Sequence, residues 1–162
     1  MRKIVFIVGQ GGSGKTTLVN YFKKHPVDNW LFFDFDKGAE IKPRTKNLSK
    51  LRPWVEKQRQ FWLKEVRLKK YGEINICLFG VGLFPWKIGF PKDIHFAYLS
   101  CDQDSRKERL IKRGDPHIWE AYQKDVREIV KRLDEMGAKR FETGNCSVEE
   151  SAKTIQDWLL SL

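Results

Sequence analysis

Residues Gly9 to Thr16 read Gly-Gln-Gly-Gly-Ser-Gly-Lys-Thr: a glycine, four residues, then Gly-Lys-Thr. This is the phosphate-loop pattern, and it sits where such a loop has to sit. Ile4, Val5, Phe6, Ile7 and Val8 make a short strand-forming run before it, and Thr17 to Phe22 read as the first turns of a helix after it. At a strand–loop–helix junction the backbone amides point inward, at the positive end of the helix dipole. A triphosphate such as ATP is the natural occupant. Gly9, Gly11, Gly12 and Gly14 let the backbone approach phosphates with no Cβ in the way. With Ser13, Lys15, Thr16 and Thr17 they form the candidate nucleotide-binding set. Lys15 can reach the β- and γ-phosphates and is a candidate catalytic residue. The Thr16 hydroxyl is a candidate Mg²⁺ ligand.

The chain has 162 residues, 41% of them hydrophobic, which suits one domain with one substantial core. No apolar stretch approaches the roughly 20 residues that span a bilayer, so no membrane role is expected. The N-terminal apolar run leads straight into the phosphate loop and does not read as a signal peptide. Cys77, Cys101 and Cys146 are an odd, widely spaced set without metal-ligand spacing. Free thiols in a reducing, cytoplasmic setting are the expectation.

Five strands alternate with helices along the chain. Strands are expected at Lys3–Val8, Trp30–Phe35, Ile74–Gly80, Ile94–Leu99 and near Lys139–Thr143. Helices are expected at Lys15–Lys24, Leu48–Tyr71, Ser105–Arg113, Trp119–Met136 and Val148–Leu160. Ser147 and Glu150 form a capping box for the last helix, and Gly72 and Gly137 fall where helices should stop. Near-continuous apolar strands of this length belong in a parallel sheet covered on both faces. The expected fold class is therefore α/β: a five-stranded parallel sheet between two helical layers, in one domain over residues 1–162.

With these residues in view, the chain resembles the small P-loop kinases, a group that includes shikimate, gluconate and nucleoside or nucleotide kinases. Three further regions carry the resemblance. The first is Phe33-Asp34-Phe35-Asp36 at the end of the second strand. A similar Asp-x-Asp in shikimate-kinase-like proteins implies that Asp34 assists Mg²⁺ and that Asp36 holds or deprotonates the acceptor hydroxyl. A carboxylate suits that task on chemical grounds alone. The second is Phe79-Gly80-Val81-Gly82, where many NTPases carry a metal-holding Asp and this chain has none. The third is Arg106 to Gly114. A similar segment in nucleotide kinases implies that Arg109 stacks on adenine and that Arg113 reaches phosphate oxygens from a short lid near residues 112–119. Arg109 and Arg113 are four apart and share a helix face. The loop Thr143 to Ser147 resembles the one that contacts the adenine edge through its backbone.

The net charge of +10 is concentrated. Residues 42–70 hold eleven Lys and Arg against Glu56 and Glu65. This basic helical segment takes the acceptor side in the resemblance, with Lys42, Arg44 and Arg52 nearest Asp36 in sequence. Leu51, Val55, Trp62 and Val66 give it an apolar stripe, with Trp54 and Phe61 beside it. The function expected is ATP-dependent, Mg²⁺-assisted phosphoryl transfer to a small, anionic acceptor such as a nucleoside, nucleotide or sugar. Lys15, Asp36 and Arg113 are the candidate catalytic residues. A kinase acting on a polynucleotide end is the alternative, since cations with aromatics can hold nucleic acid. A non-catalytic nucleotide switch is disfavoured, because the guanine-reading Asn-Lys-x-Asp is absent from the sequence.

Overall fold

Strand β1, Ile4–Gly9, is buried along its whole length, as an unbroken apolar run requires when both sheet faces are covered. Ile4, Phe6 and Val8 enter one core and Val5 and Ile7 the other, following the two-residue period of a strand. The computed structural model describes residues 2–43, 48–81, 93–114 and 123–162. The remaining strands are β2 (Trp30–Asp34), β3 (Asn75–Phe79), β4 (Ile94–Ser100) and β5 (Lys139–Glu142). All pairings are parallel, in the order β2-β3-β1-β4-β5.

Helices α1 (Lys15–Lys24) and α5 (Val148–Ser161) cover one face through Leu18, Val19, Phe22, Ala152, Ile155 and Leu159. Helices α2 (Leu48–Glu65) and α4 (Gln123–Glu135) cover the other through Trp54, Trp62, Ile129 and Leu133. Helix α3 (Gln103–Lys112) follows β4 and buries Arg106 and Leu110. The expected α/β sandwich is therefore present. The Ser147–Glu150 capping box opens α5 with both of its bonds made.

Three of the boundary differences from the sequence expectation have an identifiable cause, and most of the others are shifts of a single residue. Strand β2 stops at Asp34, because the Asp34 carboxylate accepts the Asp36 amide at 3.0 Å and winds Phe35–Lys37 into a 3₁₀ turn. Helix α2 stops at Glu65 rather than running to Tyr71. Its last turn tightens, with the Arg67 and Leu68 amides donating three residues back to Lys64 and Glu65. The Arg2 guanidinium then takes the Leu68 carbonyl at 3.0 Å. Helix α3 starts earlier, capped by Asp102, which accepts the Ser105 amide at 2.8 Å. The stretch expected to open α4, residues 119–122, and the lid beyond Gly114 lie outside the described residues, as does Gly82.

The register fixes where the chemistry leaves the sheet. Asp34 is level with Phe79 of β3, and Phe79 with Ile7 of β1. The ends of β1 and β2 thus emerge at one edge, two strand spacings or about 10 Å apart. Ligands of open parallel sheets bind beyond this C-terminal edge.

Helix α2 then fastens the segment after β2. Gln58 is fully buried. Its Oε1 accepts the Ala39 amide at 3.1 Å and its Nε2 donates to the Glu40 carbonyl at 2.6 Å. The indoles of Trp54 and Trp62 donate to the carbonyls of Glu40 and Phe35, at 3.2 and 3.1 Å. Gly38 is required by this close approach, since a Cβ there would lie 1.7 Å from Gln58 Oε1. Gln58→Ala strips partners from two backbone groups. It should lower stability by about 1–3 kcal/mol, read as a fall in the urea midpoint. An unchanged midpoint would show that water replaces the clamp at no cost.

Candidate active site

The loop from Gly9 to Thr16 wraps the start of α1, whose N-cap is Gly14. No side chain caps the helix and no acid occupies its first turn. The leading amides are left for an outside acceptor, and the dipole makes that acceptor anionic. Gly12 has φ 83° and Gly14 φ 91°, a region that side chains disfavour. A Cβ on Gly12 would also lie 2.8 Å from Arg106 Cγ and 3.0 Å from its carbonyl oxygen, so α3 lies directly against the loop.

The loop is held from within by the Gln10 carbonyl. That one oxygen accepts from Ser13 N at 3.2 Å, Ser13 Oγ at 2.8 Å and Lys15 Nζ at 2.7 Å. The Gln10 side chain accepts from Arg106 of α3. Thr143, just past β5, places Oγ1 3.0 Å from the Ser13 carbonyl and 3.1 Å from that of Ser100. The phosphate loop is therefore tied to α3 and to the ends of β4 and β5.

Several charges converge on Lys15. Burial pulls its pKa from 10.5 down to about 8; Asp36 and then Asp34 oppose this, while Lys42 and Arg113 add to it. The structure thus brings together the expected catalytic residues Lys15, Asp36 and Arg113 with the expected metal-side Asp34. Asp34 already spends one oxygen on the Asp36 amide. Asp36 is ion-paired with Lys42 at 3.0 Å. Thr16 and Thr17 stand exposed on the first turn of α1.

Beside the loop lies a cavity of about 450 Å³, lined among others by Gly12, Thr17, Arg109, Arg113, Cys146 and Val148. Arg109 turns its N–H groups onto main-chain carbonyls, those of Gly12 at 3.3 Å, Thr143 at 2.8 Å and Gly144 at 3.0 Å. With that edge occupied, the flat face of the guanidinium is what remains for a base, and such a face stacks well.

A hard divalent cation wants oxygen ligands. Among the described residues no three His, Cys, Asp or Glu converge on one point. The Thr16 hydroxyl, the second Asp34 oxygen and phosphate oxygens from a nucleotide form a donor set that fits Mg²⁺.

Sequence reasoning missed Arg59. It is 6% exposed, and its Nη1 is buried with no acceptor among the described residues. Its Nε and Nη2 hold Glu56 at 3.1 and 2.6 Å, which keeps that carboxyl below its usual range. Arg59 and Leu63 are one turn apart on α2, and Arg67 lies just past its end. Arg67 bonds Asp93 at 3.0 Å, next to the start of β4. Glu56, one turn earlier on α2, is the side chain that holds the Arg59 guanidinium. Nothing in the sequence marks Arg59 among eleven cations. The basic segment as a whole is less uncompensated than it reads. Lys42, Lys57, Arg59, Arg67 and Lys70 pair with Asp36, Glu40, Glu56, Asp93 and Glu65.

No protein-family model and no curated protein sequence matches the chain. Solved structures do. A shikimate kinase from Acinetobacter baumannii, in complex with shikimate, is 16% identical at a TM-score of 0.66, over 99% of this chain and 94% of that one. A deoxyadenosine kinase from M. mycoides, with the products dCMP and dCDP bound, is 17% identical at 0.66, over 98% of this chain and 100% of that one. A shikimate kinase from Bacteroides thetaiotaomicron is 23% identical at 0.58, over 99% of both chains. Strand order, phosphate loop and structural likeness agree: this chain has the fold of the small P-loop kinases.

Proposed function

We propose that the protein is an ATP-dependent phosphotransferase acting on a hydroxyl or phosphate of a small acceptor of the nucleoside, nucleotide or sugar kind. The observation that carries this reading is a phosphate-loop helix end left uncapped beside Lys15, whose charge feels Asp36, Asp34 and Arg113. The triphosphate lies on the amides of residues 11–16, and the base enters the cavity against the face of Arg109. Lys15 leaves the Gln10 carbonyl for phosphate oxygens. Mg²⁺, held by Thr16 and Asp34, supplies charge neutralisation on those oxygens. Asp36 takes the proton of the acceptor hydroxyl as that oxygen bonds the γ-phosphorus and the bond from this phosphorus to the bridging oxygen of ADP breaks, ADP being the leaving group. Arg113 neutralises charge on the transferred group and helps keep water out.

The acceptor lies between Asp36 and α2. We assign Arg59 Nη1, buried and without an acceptor among the described residues, to the α2 end as a donor, which favours an acceptor with a carboxylate, phosphate or carbonyl oxygen there. The polynucleotide-end reading has weaker support, because much of the basic segment is already matched with carboxylates. The three thiols are unpaired, which suits a reducing, cytoplasmic setting. Among the described residues no helix is long and apolar enough to cross a membrane.

Acceptor-dependent ADP release across a panel of nucleosides, nucleotides, sugars and oligonucleotides tests the assignment. Lys15→Ala should lower turnover on the order of 100-fold or more, and wild-type rates in that variant would refute it. Arg59→Met should raise the acceptor KM roughly 10- to 100-fold, the size of one hydrogen bond to a charged group, with the ATP KM unchanged. An acceptor KM within twofold of wild type would remove Arg59 from the acceptor site.

The lowered pKa of Lys15 makes a further prediction. A polyphosphate stabilises the ammonium, so the pKa is higher in the complex than in the empty protein. Binding then takes up a proton, and affinity is lost as pH rises through about 8. The loss should approach tenfold per pH unit above that point, and it should vanish in Lys15→Arg, whose guanidinium stays charged. An equal slope in Lys15→Arg would assign the effect to another group.

A further inference from the structure

Asp36 is a poor proton acceptor unless something orients it. It sits on a single 3₁₀ turn, and its side chain is close to half exposed. The only side chain that bonds it among the described residues is Lys42, whose Nζ donates to Oδ2 at 3.0 Å. Two exposed side chains that merely happen to meet contribute little. Lys42 is not placed by chance. The main chain leading to it is pinned at Ala39 and Glu40 by Gln58 and Trp54, and the Glu40 carboxylate is held by Lys57 at 3.1 Å. The next residue, Ile41, points outward and is 95% exposed. Lys42 then turns back, and its ammonium lies 5.7 Å from the centroid of the Trp54 ring. An indole face attracts a cation, so Lys42 is held between that face and Asp36.

We infer that Lys42 is a positioning residue of the transfer step: anchored on Trp54, it fixes the Asp36 carboxylate by Oδ2 and leaves Oδ1 for the acceptor hydroxyl. Trp54 has two tasks in this arrangement. Its N–H fixes the path of the chain at Glu40, and its ring fixes the end of Lys42. Both charges of the Lys42–Asp36 pair also act on Lys15 of the phosphate loop, in opposite directions. The acceptor thus meets a carboxylate with one oxygen committed, and its own anionic group, if it has one, is met elsewhere.

The inference rests on the phosphotransferase reading, and the experiment separates the two. Steady-state kinetics with ATP and the acceptor found by panel are measured for wild type, Lys42→Met, Lys42→Arg, Asp36→Asn and Asp36→Asn/Lys42→Met. Lys42→Met should lower kcat by 10- to 30-fold with the ATP KM within twofold of wild type, and Lys42→Arg should recover most of the loss. In the Asp36→Asn background, removal of Lys42 should cost less than threefold, because its target is gone. Two results would each overturn the inference while leaving the reaction in place: an undiminished kcat in Lys42→Met, or losses that multiply in the double variant. No acceptor-dependent turnover in the wild type would remove both the inference and the reading beneath it.

Discussion

The amides that open α1 have no side-chain cap among the described residues. No serine, threonine or aspartate caps the helix, and its first turn carries no acid. A helix end of this kind is stable only beside water or an anion. Every other feature of the site serves to keep that end open and shaped. Gly12 and Gly14 adopt backbone angles that a side chain would resist, and Gly12 leaves room for Arg106 to pass. The Gln10 carbonyl gathers three donors and folds the loop on itself. Arg106, Arg109 and Thr143 fasten it to α3 and to the strand ends. Lys15 is left in a site that desolvates it, with two carboxylates nearby that partly offset the cost. A charged ligand relieves that tension.

The opposite wall is built from α2, by main-chain capture. Trp54, Gln58 and Trp62 occupy the sheet-facing stripe of the helix, and each uses a polar atom to hold the segment from Phe35 to Glu40. The carboxylates at the end of β2 therefore sit on backbone that a buried core restrains, although Asp34 is only half-buried and Asp36 is exposed. Sites that need accurate geometry benefit from such support. The charge of the segment is handled in the same local way. Several of its lysines and arginines face acids from neighbouring elements, so a high net charge in the sequence becomes a set of short-range pairs in the fold.

Much of this was legible beforehand. The phosphate loop, the strand alternation and the carboxylates at 34 and 36 follow from local pattern, because each depends on neighbours in sequence. The capping box at Ser147 and the helix stop at Gly137 are local too, and they are found as expected, whereas Gly72 closes only a 3₁₀ turn, Lys69–Tyr71, beyond the end of α2. Contacts between residues distant in sequence were not legible. Gln58 read as one more polar residue on a helix, and only the chain at Gly38 makes it a clamp. Arg59 was one cation among many until burial singled it out. Arg106 lay inside the segment that resembles nucleotide kinases, yet its tie to Gln10 spans 96 positions. Leu48–Tyr71 was expected to be one helix because its apolar period runs through Val66. The break after Glu65 comes from Arg2, at the far end of the chain, taking the Leu68 carbonyl. The acceptor side is least legible for the same reason, since it is assembled from elements distant in sequence.

The measurement that tests the central claim most directly is calorimetric titration of the purified protein with ATP, with and without Mg²⁺, alongside Lys15→Ala. The account predicts saturable binding of one nucleotide per chain, tighter with Mg²⁺ and strongly weakened in the variant. An absence of binding by the wild type under both conditions, or equal affinity in Lys15→Ala, would contradict it.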